Sequence, residues 1–234
     1  SLKDICILTI STLFITFIIW LPHILSLNNF FNLDFSSGFN NIYRNFDGLE
    51  YVTIAKTFYD PELLKTIPQS LEASYYPAHF PLYSIFILLF APLLGFLKSM
   101  LFVSLLFTTL STIAFYFFAK NLKLTLHPLL LSIIFLILPA RWLIVHSVGS
   151  SEPMFVFFVI TALYFFIRFK QTSHTSDIYL SGLAGFLAIF ARPPGVLLGL
   201  SLLFFILWEL LTKKITLPKA LSSYYPLLLL PLSL

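Results

Sequence analysis

Residues 5–25, ICILTISTLFITFIIWLPHIL, decide the fold of this chain, because the stretch is long and apolar enough to cross a bilayer. A transmembrane α-helix needs about 20 consecutive, mostly apolar residues. This stretch is too long for the apolar core of a typical signal peptide and lacks a small-residue cleavage pattern, which predicts a retained membrane helix. Cys6, the only cysteine in the sequence, lies inside it, so no disulfide pair and no cysteine-based metal site is possible within the chain.

The rest of the chain has the same apolar character. Of its 234 residues, 59% are hydrophobic and only 10% are charged, and the mean hydropathy is +0.94. A soluble domain carries about 25% charged residues. The composition therefore predicts an integral membrane protein, in which a net charge of +4 reports topology rather than nucleic-acid binding.

Further apolar stretches follow the first and predict an all-α, polytopic transmembrane helix bundle. The candidate spans after 5–25 are 81–97, 99–119, 128–140, 153–169, 178–191 and 196–211, with another starting at Leu221. We interpret residues 1–234 as a single transmembrane domain. The sequence ends inside the apolar run 224–234, which we interpret as a truncation or as the loss of later helices.

The basic residues assign the loops to the two sides of the membrane. The pairs Lys120/Lys123, Arg168/Lys170 and Lys213/Lys214 mark three loops that favour the cytoplasm. The polar segments 28–78, 141–152 and 192–195 then share the external side, with 28–78 as the long first external loop. This assignment requires 81–97 to begin and end outside, so we favour a re-entrant or interfacial segment there. The alternative is a full crossing, which would place most basic loops outside.

The first polar patch is 44–59, RNFDGLEYVTIAKTFY, which continues into a helix-like run. Asp47 is a candidate general base, or a ligand for a cationic group, where water meets the membrane. The alternative is an ordinary N-cap for a helix that begins near Leu49. Capping and catalysis are compatible, because a cap fixes the direction of the carboxylate. The presence of Glu50 has a simple structural explanation, because a negative charge is favourable at the positive N-terminal end of a helix.

The second patch is 74–83, SYYPAHFPLY, where Pro77 and Pro81 prevent a regular helix between them. His79 lies in this rigid stretch among aromatic residues that include Tyr76. It is a candidate to orient a phosphate or a sugar hydroxyl. The alternative is an interfacial belt of Tyr residues in which His79 simply bonds the backbone.

Two more patches flank later spans. Residues 139–158, PARWLIVHSVGSSEPMFVFF, place Arg141, His146 and Glu152 around a small polar turn. An ionisable residue at the mouth of an apolar helix is a functional candidate, although Glu152 also suits a water-facing helix start. In 188–200, AIFARPPGVLLGL, the planar guanidinium of Arg192 can donate paired hydrogen bonds to phosphate oxygens. The alternative is that Arg192 only sets the membrane topology, with its guanidinium reaching the interface while its aliphatic stem stays in apolar surroundings.

Several common motifs are missing from the sequence. It has no Walker A loop, G-x-G-x-x-G, H-E-x-x-H or G-x-S-x-G, and no D-x-D pair. Use of a nucleotide, or of a nucleotide sugar held through a metal, is therefore not indicated. We expect no cofactor and no metal.

The four patches, in this order, resemble the membrane-embedded GT-C glycosyltransferases, and most closely the GPI mannosyltransferase II (PIG-V)-like family. The resemblance covers about residues 1–212. The matching motifs are FDGLEYVTIA at 46–55, HFPLYS at 79–84, HSVGSSEPMFVFF at 146–158 and AIFARPPGV at 188–196. The chain departs from the family pattern at Phe46, where Trp is usual, and at Ser84, Pro153 and Pro194. These departures bear on the substrate more than on the fold.

The resemblance implies an inverting transfer of a sugar, with mannose as the first expectation, from a polyprenyl or dolichyl phosphate to a hydroxyl of a lipid-linked or glycan acceptor. Asp47 would be the general base. The implied substrate-binding residues are Tyr51, Tyr76, His79, Arg141, His146, Glu152 and Arg192. Among them, Arg192 and either His146 or His79 would stabilise the leaving phosphate, and Glu152 would orient the sugar or Arg192.

The expected partners are the lipid-phosphate sugar, the acceptor and membrane lipids, with no nucleic acid. The expected location is the plasma membrane in a prokaryote or the endoplasmic reticulum in a eukaryote. Two other classes stay open from the sequence. One is a transporter or flippase of lipid-linked saccharides, although such proteins usually show repeated halves and none is visible here. The other is a non-catalytic membrane scaffold.

Overall fold

The structure is a computed structural model that describes residues 1–68 and 71–227. Within these residues the fold is α-helical, and the β pairing is limited to an isolated bridge between Phe30 and Leu33. The helices are α1 Leu2–Ile24, α2 Phe39–Tyr43, α3 Gly48–Thr57, α4 Pro61–Thr66, α5 Leu82–Leu94, α6 Phe96–Asn121, α7 Pro128–Ile137, α8 Ala140–Val145, α9 Glu152–Thr172, α10 Thr175–Ala191, α11 Val196–Leu211 and α12 Leu217–Tyr224. Short 3₁₀ helices cover Ala73–Ala78 and Pro193–Gly195.

Four segments are long and apolar enough to cross a membrane: Leu2–Ile24, Phe96–Asn121, Glu152–Thr172 and Pro193–Leu211. Their surfaces are mostly not covered by the protein, and only 17% of the apolar window of α1 is buried. Lipid is the solvent that suits such helices, because their backbone groups are satisfied internally. The predicted all-α, multi-pass fold class is confirmed.

The remaining apolar helices are shorter. The 13 residues of α5 and the 10 of α7 extend for about 20 and 15 Å at 1.5 Å per residue. Neither length covers a hydrocarbon core of about 30 Å. For α5, this agrees with a segment that does not cross as a straight helix, and the side on which its ends lie stays a prediction. For α7, the helix ends at Ile137, before the predicted end of the span 128–140, and a crossing by this segment stays a prediction.

The end of α7 has a local cause. Leu138 precedes Pro139, and a residue before proline is pushed into the extended region. Leu138 indeed has φ −119° and ψ 138°, so the helix stops at Ile137. A new helix, α8, then begins at Ala140. The predicted polar loop 141–152 is therefore partly helical.

The chain divides into two compact units, and the first covers Ser1–Met154. Its central element is α6, which packs against α1, α3, α5 and α7. The chain reverses from α5 into α6 at Gly95, whose φ of +76° is a conformation that glycine adopts without strain. Two buried hydroxyls on α6, those of Thr108 and Thr112, bond the carbonyl one turn earlier at 2.7 and 2.8 Å and are satisfied within their own helix.

The second unit begins at Phe155 and contains the rest of α9 together with α10, α11 and α12. A partly buried ionic cluster, in which Glu209 and Tyr224 are buried and Lys170 is partly exposed, joins three of its helices. Lys170 Nζ donates to both carboxylate oxygens of Glu209 at 2.6 and 2.8 Å, and to Tyr224 Oη at 2.9 Å. Tyr224 Oη also donates to Glu209 at 2.8 Å. The carboxylate is therefore fully paired where it is removed from water.

Candidate functional site

Asp47 lies at the N-cap position of α3, but its side chain makes no capping hydrogen bond. The predicted helix near Leu49 is present and begins one residue earlier, at Gly48. The carboxylate is 52% exposed, and its Oδ2 lies 3.7 Å from His79 Nε2. Because no backbone N–H of α3 occupies the carboxylate, the simple capping explanation for Asp47 is not supported.

Gly48 brings the start of α3 against the polar turn before α9. A Cβ at this position would lie 3.0 Å from the carbonyl oxygen of Gly149 and 2.8 Å from Met100 Sδ. A Cβ at Gly149 would lie only 2.4 Å from the same sulfur. Both glycines are needed for this close approach, in which the buried Met100 fills the remaining space. The first and third sequence patches are therefore in direct contact.

His79 follows the 3₁₀ helix Ala73–Ala78 and is 7% exposed. Its ring contacts Tyr51 edge-on, with centroids 5.2 Å apart, and Tyr75 at 5.0 Å. Nδ1 is buried without a hydrogen-bond partner among the described residues. The carbonyl of His79 accepts a hydrogen bond of 2.6 Å from Tyr59 Oη, so backbone and ring are both held. The His79 side chain bonds no backbone group within the described part of the chain, and its Nε2 points at Asp47.

Two tyrosines that contact His79, Tyr59 and Tyr75, have a pKa above the usual range. Burial, and then the nearby Tyr51, raise the pKa of Tyr59 to about 12. Partial desolvation, followed by the Asp47 and Glu50 carboxylates, raises the pKa of Tyr75. Both phenols are therefore neutral hydrogen-bonding groups at physiological pH. The effect on Tyr75 also shows that the negative charges of Asp47 and Glu50 act on the ring that flanks His79.

Tyr51 connects the Asp47 helix to the segment that leads into α9. Its hydroxyl and Ser151 Oγ form a buried hydrogen bond of 2.8 Å. Its ring meets Tyr83 edge-on, with centroids 5.0 Å apart. Its carbonyl accepts 2.9 Å from Ser84 Oγ, a residue of α5. Tyr51 therefore acts as a buried connector between the first three patches.

Glu152 starts α9 and is bonded locally. Ser150 Oγ donates to Glu152 Oε2, and the Glu152 N–H donates to Ser150 Oγ at 3.2 Å. The Ser150 N–H is held in turn by Tyr83 Oη and Ser104 Oγ, each at 3.1 Å. Tyr83 Oη donates to the Met100 carbonyl at 2.7 Å. The turn that presents Glu152 is thus fixed by buried groups of α5 and α6.

Tyr83 and Ser104 are site-supporting residues that sequence reasoning missed. Tyr83 lies inside the motif HFPLYS at 79–84, and its place in that motif could have identified it. Ser104 is one of several hydroxyl residues in α6, and nothing in the sequence distinguishes it from its neighbours.

The other predicted binding residues have different surroundings. Tyr76 is buried, and its hydroxyl accepts 3.1 Å from the Leu71 N–H, so it holds the loop in place. Arg141 is exposed on α8.

His146 is 1% exposed, and its Nε2 donates to the Leu136 carbonyl at 2.9 Å. Burial lowers the pKa of His146, so the ring is neutral at pH 7. This geometry does not support a direct phosphate contact by His146, and that role stays a prediction.

Arg192 belongs to the second unit, where it ends α10 in an extended conformation before Pro193. The turn folds back tightly at Gly195, where a Cβ would lie 2.6 Å from the Ile189 backbone. The glycine of this patch therefore serves the close packing of the turn on α10. The partly buried position of Arg192 is compatible with a role in binding, which stays a prediction.

No three His, Cys, Asp or Glu side chains lie close enough together to hold a metal ion within residues 1–68 and 71–227. The described polar groups instead form a proton-transfer and hydrogen-bonding set: an exposed carboxylate, a buried imidazole and hydroxyls. Such a set can accept a proton from a hydroxyl and orient a polar substrate.

Comparison with known proteins identifies the family of the chain. Residues 77–233, well over half of the chain, match the dolichyl-phosphate-mannose-protein mannosyltransferase family. The match includes His79, Glu152 and Arg192 and begins after Asp47 and Tyr51. No curated protein and no solved structure matches the chain.

The match confirms the expected GT-C type of membrane glycosyltransferase, whereas the narrower PIG-V-like assignment stays a prediction. The chain belongs to the dolichyl-phosphate-mannose-protein mannosyltransferase family.

Proposed function

We propose that the protein transfers a sugar, with mannose as the first candidate, from a polyprenyl- or dolichyl-phosphate donor to a hydroxyl of a lipid-linked or glycan acceptor. The observation that carries this proposal is the Asp47–His79 pair, in which a half-exposed carboxylate lies 3.7 Å from a buried imidazole. Family membership supports a mannosyltransferase, and the pair supplies a group suited to activating a hydroxyl.

In the proposed reaction Asp47 is the general base. The acceptor oxygen attacks the anomeric carbon of the donor, and its proton passes to the Asp47 carboxylate. The bond from the anomeric carbon to the phosphate oxygen breaks, and the lipid phosphate leaves with the electron pair. Attack opposite the leaving group inverts the anomeric centre. A positioned base contributes about 10²–10⁴-fold to such a step.

The other side chains have supporting roles in this proposal. His79 holds the carboxylate of Asp47, while Tyr51 ties that helix to the turn of Ser151. Glu152 orients the sugar from the start of α9. Arg192 stabilises the charge that develops on the leaving phosphate, because its guanidinium stays protonated and presents paired donors.

The lipid tail of the donor restricts where the reaction occurs. A polyisoprenoid chain stays in the bilayer, so its phosphate and sugar are presented at the interface. The first loop carries Asp47 next to a membrane-spanning helix, which suits a donor of this kind. We propose that residues 28–78 are external, in the plasma membrane of a prokaryote or on the lumenal side of the endoplasmic reticulum.

The test is sugar transfer from radiolabelled polyprenyl-phosphate mannose, then glucose, by the full chain in membranes, with Asp47→Asn measured alongside. Transfer that falls by about 10²–10⁴-fold in the variant supports the proposal, and the anomeric configuration of the product tests inversion. Equal transfer by both proteins removes Asp47 from the mechanism. No transfer from any lipid-phosphate donor by the folded protein contradicts the proposed donor class.

A further inference from the structure

The first loop contains a tight hairpin at residues 30–33 that the proposed chemistry does not use. Phe30 and Leu33 exchange two backbone hydrogen bonds, each of 3.0 Å. The two residues between them, Phe31 and Asn32, have φ values of +53° and +61°. Two consecutive left-handed residues are the geometry of a type I′ turn, which favours Asn and Gly. Asn32 fits this preference, whereas a bulky residue such as Phe31 is strained there.

The strained residue is also the most exposed of the three apolar residues in the hairpin. Phe31 is 85% exposed, Leu33 59% and Phe30 41%. The Phe31 ring contacts the Phe30 ring, with centroids 4.6 Å apart. Contacts within the described chain therefore do not explain why a large apolar side chain occupies the tip of the turn.

The hairpin is attached rigidly to the end of α1. The Phe35 N–H donates to the Leu27 carbonyl at 2.8 Å, and the Phe35 ring meets His23 edge-on with centroids 4.8 Å apart. His23 Nδ1 bonds the Gly38 carbonyl at 3.1 Å. Since α1 is a membrane-spanning candidate that ends at Ile24, these contacts keep the tip near the level where the helix leaves the bilayer.

The composition around the tip suits an interface rather than open water. Residues 25–33 contain no charged side chain, and the first charge after them is Asp34. Asp34 accepts the Ser36 N–H at 2.8 Å, at the base of the hairpin. The exposed apolar surface of α1 continues toward this segment through Ile24 and Leu25, which are 47% and 57% exposed. The tip can thus enter a medium of low polarity without burying a charge.

We propose that residues 30–33 form an interfacial anchor whose apolar side chains, Phe30, Phe31 and Leu33, insert into the headgroup layer of the leaflet where α1 ends. The partner is the lipid surface. Insertion of these side chains into the lipid offsets the backbone strain at Phe31 and keeps the first loop against the bilayer. This inference is independent of the proposed enzymatic activity.

The test measures the depth of a fluorescent label on the full chain. Cys6→Ser with Phe31→Cys, labelled with a nitrobenzoxadiazole group, is reconstituted in phosphatidylcholine vesicles that contain shallow or deep spin-labelled lipids. We expect blue-shifted emission and stronger quenching by the shallow lipid, corresponding to a depth of about 5–10 Å. The matched control is Lys65→Cys, on the exposed Lys65–Glu62 pair of α4, which we expect iodide to quench from the water.

A second variant separates anchoring from folding. A label at Asn29→Cys reports the hairpin with Phe31 present, and again with Phe31→Gly. Glycine accepts a positive φ, so the turn is retained while the anchoring ring is lost. We expect weaker lipid quenching and stronger iodide quenching in the Gly variant. Equal iodide quenching at positions 31 and 65 overturns the proposal. Protection from iodide without lipid quenching also overturns it, because a protein surface would then cover the tip.

Discussion

Asp47 and His79 face each other across the first loop, with Oδ2 and Nε2 3.7 Å apart, and they differ sharply in exposure. The carboxylate is half-exposed, whereas the imidazole is almost completely buried. The buried partner is held by aromatic rings and by its backbone, so it can fix the direction of the exposed one. This relationship joins two sequence motifs that are separated by about 30 residues.

The first prediction concerns what Asp47 does for stability. Asp60 caps α4 by accepting the Glu62 and Leu63 N–H groups at 2.8 and 3.3 Å, whereas Asp47 caps nothing. Asp60→Ala should lower local helix stability by about 0.5–2 kcal/mol. Asp47→Ala should leave α3 nearly unchanged while abolishing transfer. Hydrogen exchange of the α3 and α4 amides measures both effects, and loss of protection in α3 would restore the capping explanation.

The second prediction concerns His79. If it positions Asp47, His79→Phe should lower kcat by about 100-fold, the loss that a misplacement of about 1 Å can cause. The KM for the donor should change little. His79→Gln should retain part of the activity, because its amide N–H can point at the carboxylate from a position similar to that of the imidazole Nε2.

The matched control for His79 is the same change in the Asp47→Asn background, where His79→Phe should cost almost nothing more. Steady-state kinetics of the four proteins provides the comparison, with thermal unfolding in detergent to confirm that each is folded. A raised donor KM with unchanged kcat would instead place His79 in contact with the donor.

The third prediction concerns the close approach at Gly149. A Cβ there would collide with the buried Met100 side chain at 2.4 Å. Gly149→Ala should therefore destabilise the protein by about 1–3 kcal/mol, the usual cost of overpacking. Met100→Ala should recover part of that loss in the double variant, measured by thermal unfolding. A neutral Gly149→Ala would mean that the turn can move away from α6 without cost.

The fourth prediction concerns pH and His146. Its Nε2–H bonds the Leu136 carbonyl, and its buried Nδ1 has no partner among the described residues. Burial lowers its pKa in the folded state, so protonation favours the unfolded state. Its contribution to stability is complete above the ordinary His pKa of 6.5 and is lost as the pH falls below that value.

The measurement for His146 is the unfolding midpoint of wild type and His146→Gln from pH 8 to pH 5, over a range of about one and a half units on either side of the usual His pKa. Glutamine can still donate to the carbonyl and does not titrate. The wild type should lose more stability on acidification than the variant. Parallel pH profiles would show that protonation of His146 does not matter.

The fifth prediction concerns the ionic cluster of the second unit. Lys170→Met leaves the buried Glu209 with Tyr224 as its remaining described donor, which should cost about 1–3 kcal/mol, because Lys170 is itself partly exposed and water can reach the vacated site. Replacing both Lys170 and Glu209 by Met should cost much less, because no unpaired charge is left. Unfolding of the single and double variants in detergent gives the two values. A double variant as unstable as the single one would show that the pair itself provides the stability.

The sequence by itself determined the class of this protein and most of its helices. Hydropathy depends on local composition, so the spans of α1, α6, α9 and α11 could be predicted within a few residues. Local chemistry also predicted the helix after Asp47, and the family match bears out the GT-C resemblance that the motifs suggested. The end of α7 was missed although Pro139 explains it, because apolarity continues through the residues where the helix stops.

Only the tertiary structure decided which polar groups meet. Asp47 faces His79 instead of capping its own helix, His146 turns inward to a carbonyl, and Tyr83 with Ser104 holds the turn before Glu152. The pairs Asp47–His79, Tyr83–Ser150 and Ser104–Ser150 are tens of positions apart in the sequence. They meet where α3, α5 and α6 pack closely and Gly48 lies against Gly149. Residue type and spacing determine what a side chain can do, whereas packing determines which partner it reaches.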